Sequence, residues 1–172
     1  MKSFISIICQ GRWYDHNRVI GYSEGELKKI EKLYNIELSG VLRKFMLEAG
    51  RCSGGLLGDD VIILYNESFT VRDHILTQYS FEGDILNISL KTTPPTKDIF
   101  CRSPFLFSIE SETQYFYINT RGANSERVFH FDENENILED THYGFTEYMQ
   151  HLVRNYGSFE PDVICQGEIL NI

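Results

Sequence analysis

Pro104-Phe105-Leu106-Phe107-Ser108-Ile109 opens the stretch that decides the fold. Its alternating positions Phe105, Phe107 and Ile109 predict a strand with one buried face. Glu110-Ser111-Glu112 is a turn, and residues 113–118 return as an aromatic-rich strand through Tyr115, Phe116 and Tyr117. Arg121-Gly122-Ala123-Asn124-Ser125 turns the chain again. Arg127, Phe129 and Phe131 then alternate with Val128 and His130, and Asp132-Glu133-Asn134-Glu135-Asn136 makes a third turn. Short connections between alternating segments make this an antiparallel meander that continues into a strand leading to the last helix.

Helical spacing flanks the meander. Downstream, residues 144–155 carry Phe145, Tyr148, Met149, Leu152 and Val153 on one face. Upstream, Ser23-Glu24-Gly25-Glu26 is a capping-box pattern, in which the serine oxygen accepts from the N3 amide and Glu26 reaches back. Leu27, Ile30, Leu33 and Tyr34 form the stripe of that helix, which ends near Asn35. A second helix starts with Ser39 as its cap, carries Val41, Leu42, Phe45, Met46 and Ala49, and stops at Gly50, a position suited to a left-handed C′ residue. The short connection predicts a helical hairpin.

Other segments are read more coarsely. Residues 4–9 are an apolar run taken as a first strand, and residues 61–65 as a buried strand. A third helix starts at Ser68 or Thr70, with Val71, Ile75 and Tyr79 at helical spacing. Leu86, Ile88 and Leu90 alternate as a short strand before Pro94-Pro95. Helices, mixed elements, a meander and a closing helix make an α+β fold: a single domain over residues 1–172 with a mostly antiparallel sheet flanked by helices. Residues 1–20 and 156–172 are expected to be extensions of that domain.

The chain has 16 basic and 25 acidic residues, a net charge of −9. That balance argues against a general nucleic-acid binder and against adsorption to anionic lipid. No run approaches a membrane span. Four well-separated cysteines (Cys9, Cys52, Cys101, Cys165) without a Cys-x-x-Cys fit free thiols in a reducing cytoplasm.

The search for catalytic chemistry yields nothing assembled. The glycine-rich loop over residues 50–60 lacks the Gly-Lys-Ser/Thr ending of a phosphate loop. Cys52 has no local histidine signature, and His130, Asp132 and His142 fall short of a metal ligand set. No enzyme activity, metal or cofactor is expected.

One charge run stands out. Between Arg127 and Arg154 there is no Lys or Arg, while Asp132, Glu133, Glu135, Glu139, Asp140 and Glu147 all fall there, after Glu126. Such a run is either a solvated turn or a docking patch that steers a basic partner.

Two stretches resemble the SUKH superfamily, named in part after a yeast cell-wall regulator. One runs from Tyr22 through Ser23-Glu24-Gly25-Glu26-Leu27 to Tyr34, followed by Leu38, Val41-Leu42, Phe45-Met46 and Ala49-Gly50. The other runs from Pro104 to Val153, with Val128-Phe129-His130-Phe131-Asp132 before the acidic turn and Phe145-Thr146-Glu147-Tyr148 opening the last helix. Leu38-Ser39 replaces the family's frequent Leu-Pro, and the only Trp is Trp13.

The resemblance implies a SUKH-like fold and a bacterial immunity protein of the polymorphic-toxin, contact-dependent-inhibition kind. Such a protein is cytoplasmic, non-catalytic, a monomer or weak homodimer, and neutralises a cognate toxin domain with a basic nucleic-acid site. Contact is expected on Asp132, Glu133, Glu135, Glu139 and Asp140 with Tyr143 as an anchor, and on Asp59 and Asp60 as a second locus. The alternative is a regulatory or scaffold SUKH domain that binds a cellular protein.

Overall fold

The computed structural model describes residues 2–57, 71–92, 96–123 and 125–155. Asp59, Asp60, the strand expected at residues 61–65, the helix starts at Ser68 and Thr70, the Pro94-Pro95 turn and the tail over residues 156–172 lie outside them. The chain begins with α1 (Phe4–Ile8), a 3-10 turn (His16–Arg18), β1 (Val19–Ile20), α2 (Glu24–Tyr34), α3 (Gly40–Ala49) and β2 (Cys52–Ser53). It continues with α4 (Val71–Lys91), α5 (Lys97–Phe100), β3 (Pro104–Glu110), β4 (Gln114–Asn119), β5 (Arg127–Asp132), β6 (Ile137–Gly144) and α6 (Phe145–Asn155). Strands β3-β4-β5-β6 form an antiparallel meander in chain order, and β1 and β2 pair separately, also antiparallel. The fold is the expected α+β arrangement.

Period-two alternation divides the meander between two cores. Phe105, Phe107, Ile118 and Val128 pack with α1, α2, α3 and α6. Leu106, Tyr117, Phe129 and Phe131 pack on the other face against Phe81 and Ile85 of α4. A bulge between Leu106 and Ser108 turns Phe107 toward α6, where its ring meets Phe145 edge-on at 5.3 Å. Burying such a ring contributes roughly 1.5–3 kcal/mol.

The α2 start is as read. Ser23 Oγ accepts from the Glu26 amide, and Glu26 accepts from the Ser23 amide at 2.7 Å. The Ser23 amide first, and then the Ser23 hydroxyl, hold the Glu26 carboxyl below its ordinary range. Asn35 closes α2 in the left-handed region at φ 50°.

Four local expectations are corrected. Residues 4–8 form a helix, not a strand. Ser3 caps it, Glu48 of α3 accepts from the Phe4 and Ile5 amides, and Phe4 packs edge-on against Phe45 at 5.4 Å. A run with strand propensity becomes helical because its tertiary partners lie on one side.

Residues 86–90 are not a strand but the end of α4. The buried stripe of that helix is His74, Gln78, Phe81, Ile85 and Ser89, while Tyr79 faces outward. Three of those five positions are polar, so an apolar pattern search selects the wrong face.

Gly50 is right-handed at φ −63°, and its missing Cβ instead accommodates Met46 and the Tyr22 ring. Ser39 makes no side-chain cap. Glu126 supplies it, accepting from the Val41 amide at 3.4 Å, close beside Gly40 at φ 52°.

Candidate functional site

The acidic run is laid out by the β5–β6 hairpin. Asp132 pairs with Ile137, Phe131 with Leu138, His130 with Glu139, and Phe129 with Asp140. Paired residues share a face, so the carboxylates are dealt alternately to the two sides of the sheet. Asp132 and Glu139 lie with His130 on the α6 side. Asp140 lies with Phe129 on the α4 side, where Arg127 bridges it at 3.1 Å. Glu133 also leans that way, accepting from the Tyr115 hydroxyl at 2.8 Å. Burial first, and then Glu133, push the Tyr115 hydroxyl up to about 12. The six expected contact residues of this hairpin therefore do not form one patch.

At the turn, Asp132 accepts from the amides of Asn134 at 2.9 Å and Glu135 at 3.1 Å. The Glu135 amide, first among these donors, holds the Asp132 carboxyl below the usual carboxylate range. These amides favour the charged carboxylate, which fixes the turn. Glu135 itself is exposed at the tip.

Toward α6, β6 bulges. Arg127 pairs with Gly144 but Phe129 with Asp140, which leaves extra residues on β6, and His142 adopts φ 63°. Thr141 Oγ1 donates to the Val128 carbonyl at 2.6 Å and accepts from the Tyr143 amide at 3.2 Å. Asp140 accepts from the His142 amide at 2.8 Å. The bulge leaves Tyr143 39% exposed, with its ring 5.3 Å from that of His151. Beside it, a shallow cleft of about 330 Å³ is lined by Ala123, Glu126, Arg127, His142, Gly144 and Glu147.

A strip of rings crosses the α6 side of the sheet. Tyr143 and His151 adjoin Tyr148, Tyr148 lies 5.2 Å from Phe116, and Phe116 stacks on His130 at 4.8 Å. Carboxylates border it. Glu139 lies 3.6 Å from His130 Nδ1, and Glu110 accepts from the Tyr148 hydroxyl at 3.3 Å. His130 Nε2 lies 2.7 Å from Gln114 Oε1.

The strip brings Asp132, Glu139 and Tyr143 to one side. Sequence reading missed Phe116, Tyr148, His151 and Glu110. Their signals were present, in the strand positions facing His130 and in the three-residue step from Tyr148 to His151 on α6.

The thiol and metal candidates of the sequence can be placed among the described residues. No group of three His, Cys, Asp or Glu there is arranged to hold a metal ion. Cys52 is buried in β2, where its sulfur accepts from the Gly54 amide at 3.4 Å. No described helix is long and apolar enough to cross a membrane.

A family model, SUKH_6 (SMI1-KNR4 cell-wall), matches residues 24–149, most of the chain. The chain belongs to the SUKH superfamily. Neither a curated protein nor a solved structure matches it. The SUKH match runs from the first residue of α2 into α6 and covers the core under α4, most of the other core and the acidic hairpin. SUKH domains are protein-interaction modules, which fits a site where a ring strip anchored in the core ends at the exposed Tyr143 among carboxylates.

Proposed function

We propose that this SUKH protein is an immunity protein. It binds a cognate toxin domain stoichiometrically and blocks it, and the toxin is a basic nuclease or another nucleic-acid-modifying enzyme. The observation that carries the reading is the α6 side of the β5–β6 hairpin. There Asp132 and Glu139 border a strip of rings ending at the exposed Tyr143, in a segment without Lys or Arg from residue 128 to residue 153.

The physical rationale is complementarity. A protein that acts on nucleic acid carries cationic groups for phosphate. An acidic surface speeds encounter with it, and aromatic groups at the centre slow release. Asp132 and Glu139 face such a partner first, Glu135 extends the field at the tip, and Asp140 is largely compensated by Arg127. The protein acts in the cytoplasm of the cell it protects, without catalysis or a cofactor.

Co-expression with the toxin domain encoded beside it tests the reading. Survival of the cells and a one-to-one complex are expected, with toxin alone as the lethal control. Killing despite good expression, with no complex, overturns it in favour of a regulatory SUKH domain with a cellular partner.

A further inference from the structure

The two outer strands of the meander are finished differently. At β3, the backbone groups of Pro104 and Leu106 that face away from the sheet are taken by Gln78 and His74 of α4. At β6, the register leaves the corresponding groups open. The Glu133 amide donates to the Thr113 carbonyl at 3.0 Å. Glu133 and, by alternation, Phe131 and Phe129 therefore direct their backbone groups toward β4. His130 and Asp132 direct theirs toward β6, where they pair with Glu139 and Ile137. Leu138 and Asp140 then turn their N–H and C=O groups away from β5, and no described residue pairs with them.

This open edge is short and bounded. Asn136 at φ 53° ends it on one side. His142 at φ 63°, with its amide held by the Asp140 carboxylate, ends it on the other. Between them the side chains alternate. Ile137, 44% exposed, and Glu139 stand on the α6 side, and Leu138 and Asp140 on the α4 side. Arg127 engages Asp140, whereas no Lys or Arg among the described residues bridges Glu139.

Charge selects what can pair here. Residues 127–147 hold six carboxylates (Asp132, Glu133, Glu135, Glu139, Asp140 and Glu147) against one cation, Arg127. If two copies joined these edges antiparallel, Leu138 of each would pair with Asp140 of the other. The two Glu139 side chains would then stand directly opposite on the α6 side, which is destabilising. Carboxylates placed in this way guard an edge against its own kind. A strand that brings a cation to Glu139 meets attraction instead.

We infer that β6 takes an added strand: an extended segment of the toxin domain, with a Lys or Arg opposite Glu139 and an apolar residue two positions along over Ile137. The inference rests on the immunity reading and gives it a binding mode. The outward N–H and C=O groups of Leu138 and Asp140 bond the segment's backbone and fix its register, and the side chains beside them choose the partner. Tyr143, freed by the bulge just past the end of the edge, packs against the segment as it leaves the sheet.

Amide exchange followed by NMR tests this on the full chain, free and in complex with the toxin domain encoded beside it. The Leu138 and Asp140 amides are expected to exchange fast in the free chain and about tenfold or more slowly in the complex. Leu138→Pro removes an outward donor without taking a bond from β5. Leu138→Ala loses the same packing, keeps the donor and serves as its control. The proline variant should bind the toxin domain about tenfold more weakly than the alanine variant. Far-ultraviolet circular dichroism verifies that both are folded, and the exchange measurement on the unmodified chain decides the matter if the proline variant is not. A complex in which the two amides stay fast, or proline and alanine variants that bind alike, overturns the inference and leaves the immunity reading standing. Protection already present in the free chain also overturns it, because the edge is then filled. Absence of any complex removes both readings together.

Discussion

The side-chain amide of Gln78 sits against the outer edge of β3 where another strand would pair. Its oxygen accepts from the Leu106 amide at 2.9 Å and its nitrogen donates to the Pro104 carbonyl at 2.8 Å. His74, one turn earlier on α4, lies 3.1 Å from the Leu106 carbonyl through Nε2 and 2.7 Å from the Tyr34 hydroxyl through Nδ1. Two helical side chains thus satisfy backbone groups that an open edge would leave unpaired, and they close the edge to other chains. Replacing Gln78 with leucine leaves the buried Leu106 amide and Pro104 carbonyl without these partners. Urea titration should register a loss of about 2–4 kcal/mol.

His74 makes stability depend on pH in one direction. Burial lowers its pKa from 6.5 to about 4, against the opposing effect of the Leu106 carbonyl. Between those values the unfolded chain binds the proton and the folded chain does not. The contribution is therefore complete above about pH 6.5, is lost as pH falls, and levels off below about pH 4. The loss approaches ~3 kcal/mol. His74→Gln, which cannot titrate, should be less stable at neutral pH and show a flatter profile between pH 6.5 and 4. A profile as steep as that of the unmodified chain would assign the dependence to other groups.

Glu126 joins the starts of two helices. Its carboxylate caps α3 at Val41, and its carbonyl accepts from the Phe145 amide at 2.7 Å. Glu126→Ala should cost about 1 kcal/mol as the α3 cap is lost. Gly40→Ala should cost more than that, because alanine strains at φ 52° and its methyl group meets the Glu126 carboxylate. Thermal melts of the two variants and the double variant should show less than additive losses, since both act on one cap.

Charge reversal separates the carboxylates of the hairpin. Glu139→Lys on the α6 side should slow association with the toxin domain proposed as its partner about tenfold at low salt, with a smaller effect in high salt. Asp140→Asn should change the association rate by less than twofold, since Arg127 already compensates that charge. Stopped-flow measurements at two ionic strengths compare them. Equal effects would remove the distinction between the two sides of the sheet.

The meander and the helices α2, α3 and α6 were legible because their burial follows a simple period. The five apolar positions expected on the last helix are the five that α6 buries. Helix α4 was read as a helix from Val71, Ile75 and Tyr79, but its extent and its buried face were not legible, because that face includes His74 and Gln78, which hydrogen-bond the β3 edge, and Ser89, which bonds Leu86 and Cys101. Residues 4–8 misled for another reason: helix or strand there depends on Phe45 and Glu48, more than forty residues away. At the candidate site, the sequence showed the carboxylates but not their division. Which side each one faces depends on the pairing register and on the bulges, and neither is visible from spacing along one strand.

The bulge that frees Tyr143 and the alternation along β6 also bear on how such a chain diverges. Ile137, Glu139 and Tyr143 project outward, and none belongs to either core. They can therefore be exchanged by mutation at little cost to folding, while the rest of the sheet keeps its shape. Selection for a new partner can act on a few outer positions of one strand, and recognition can change faster than architecture.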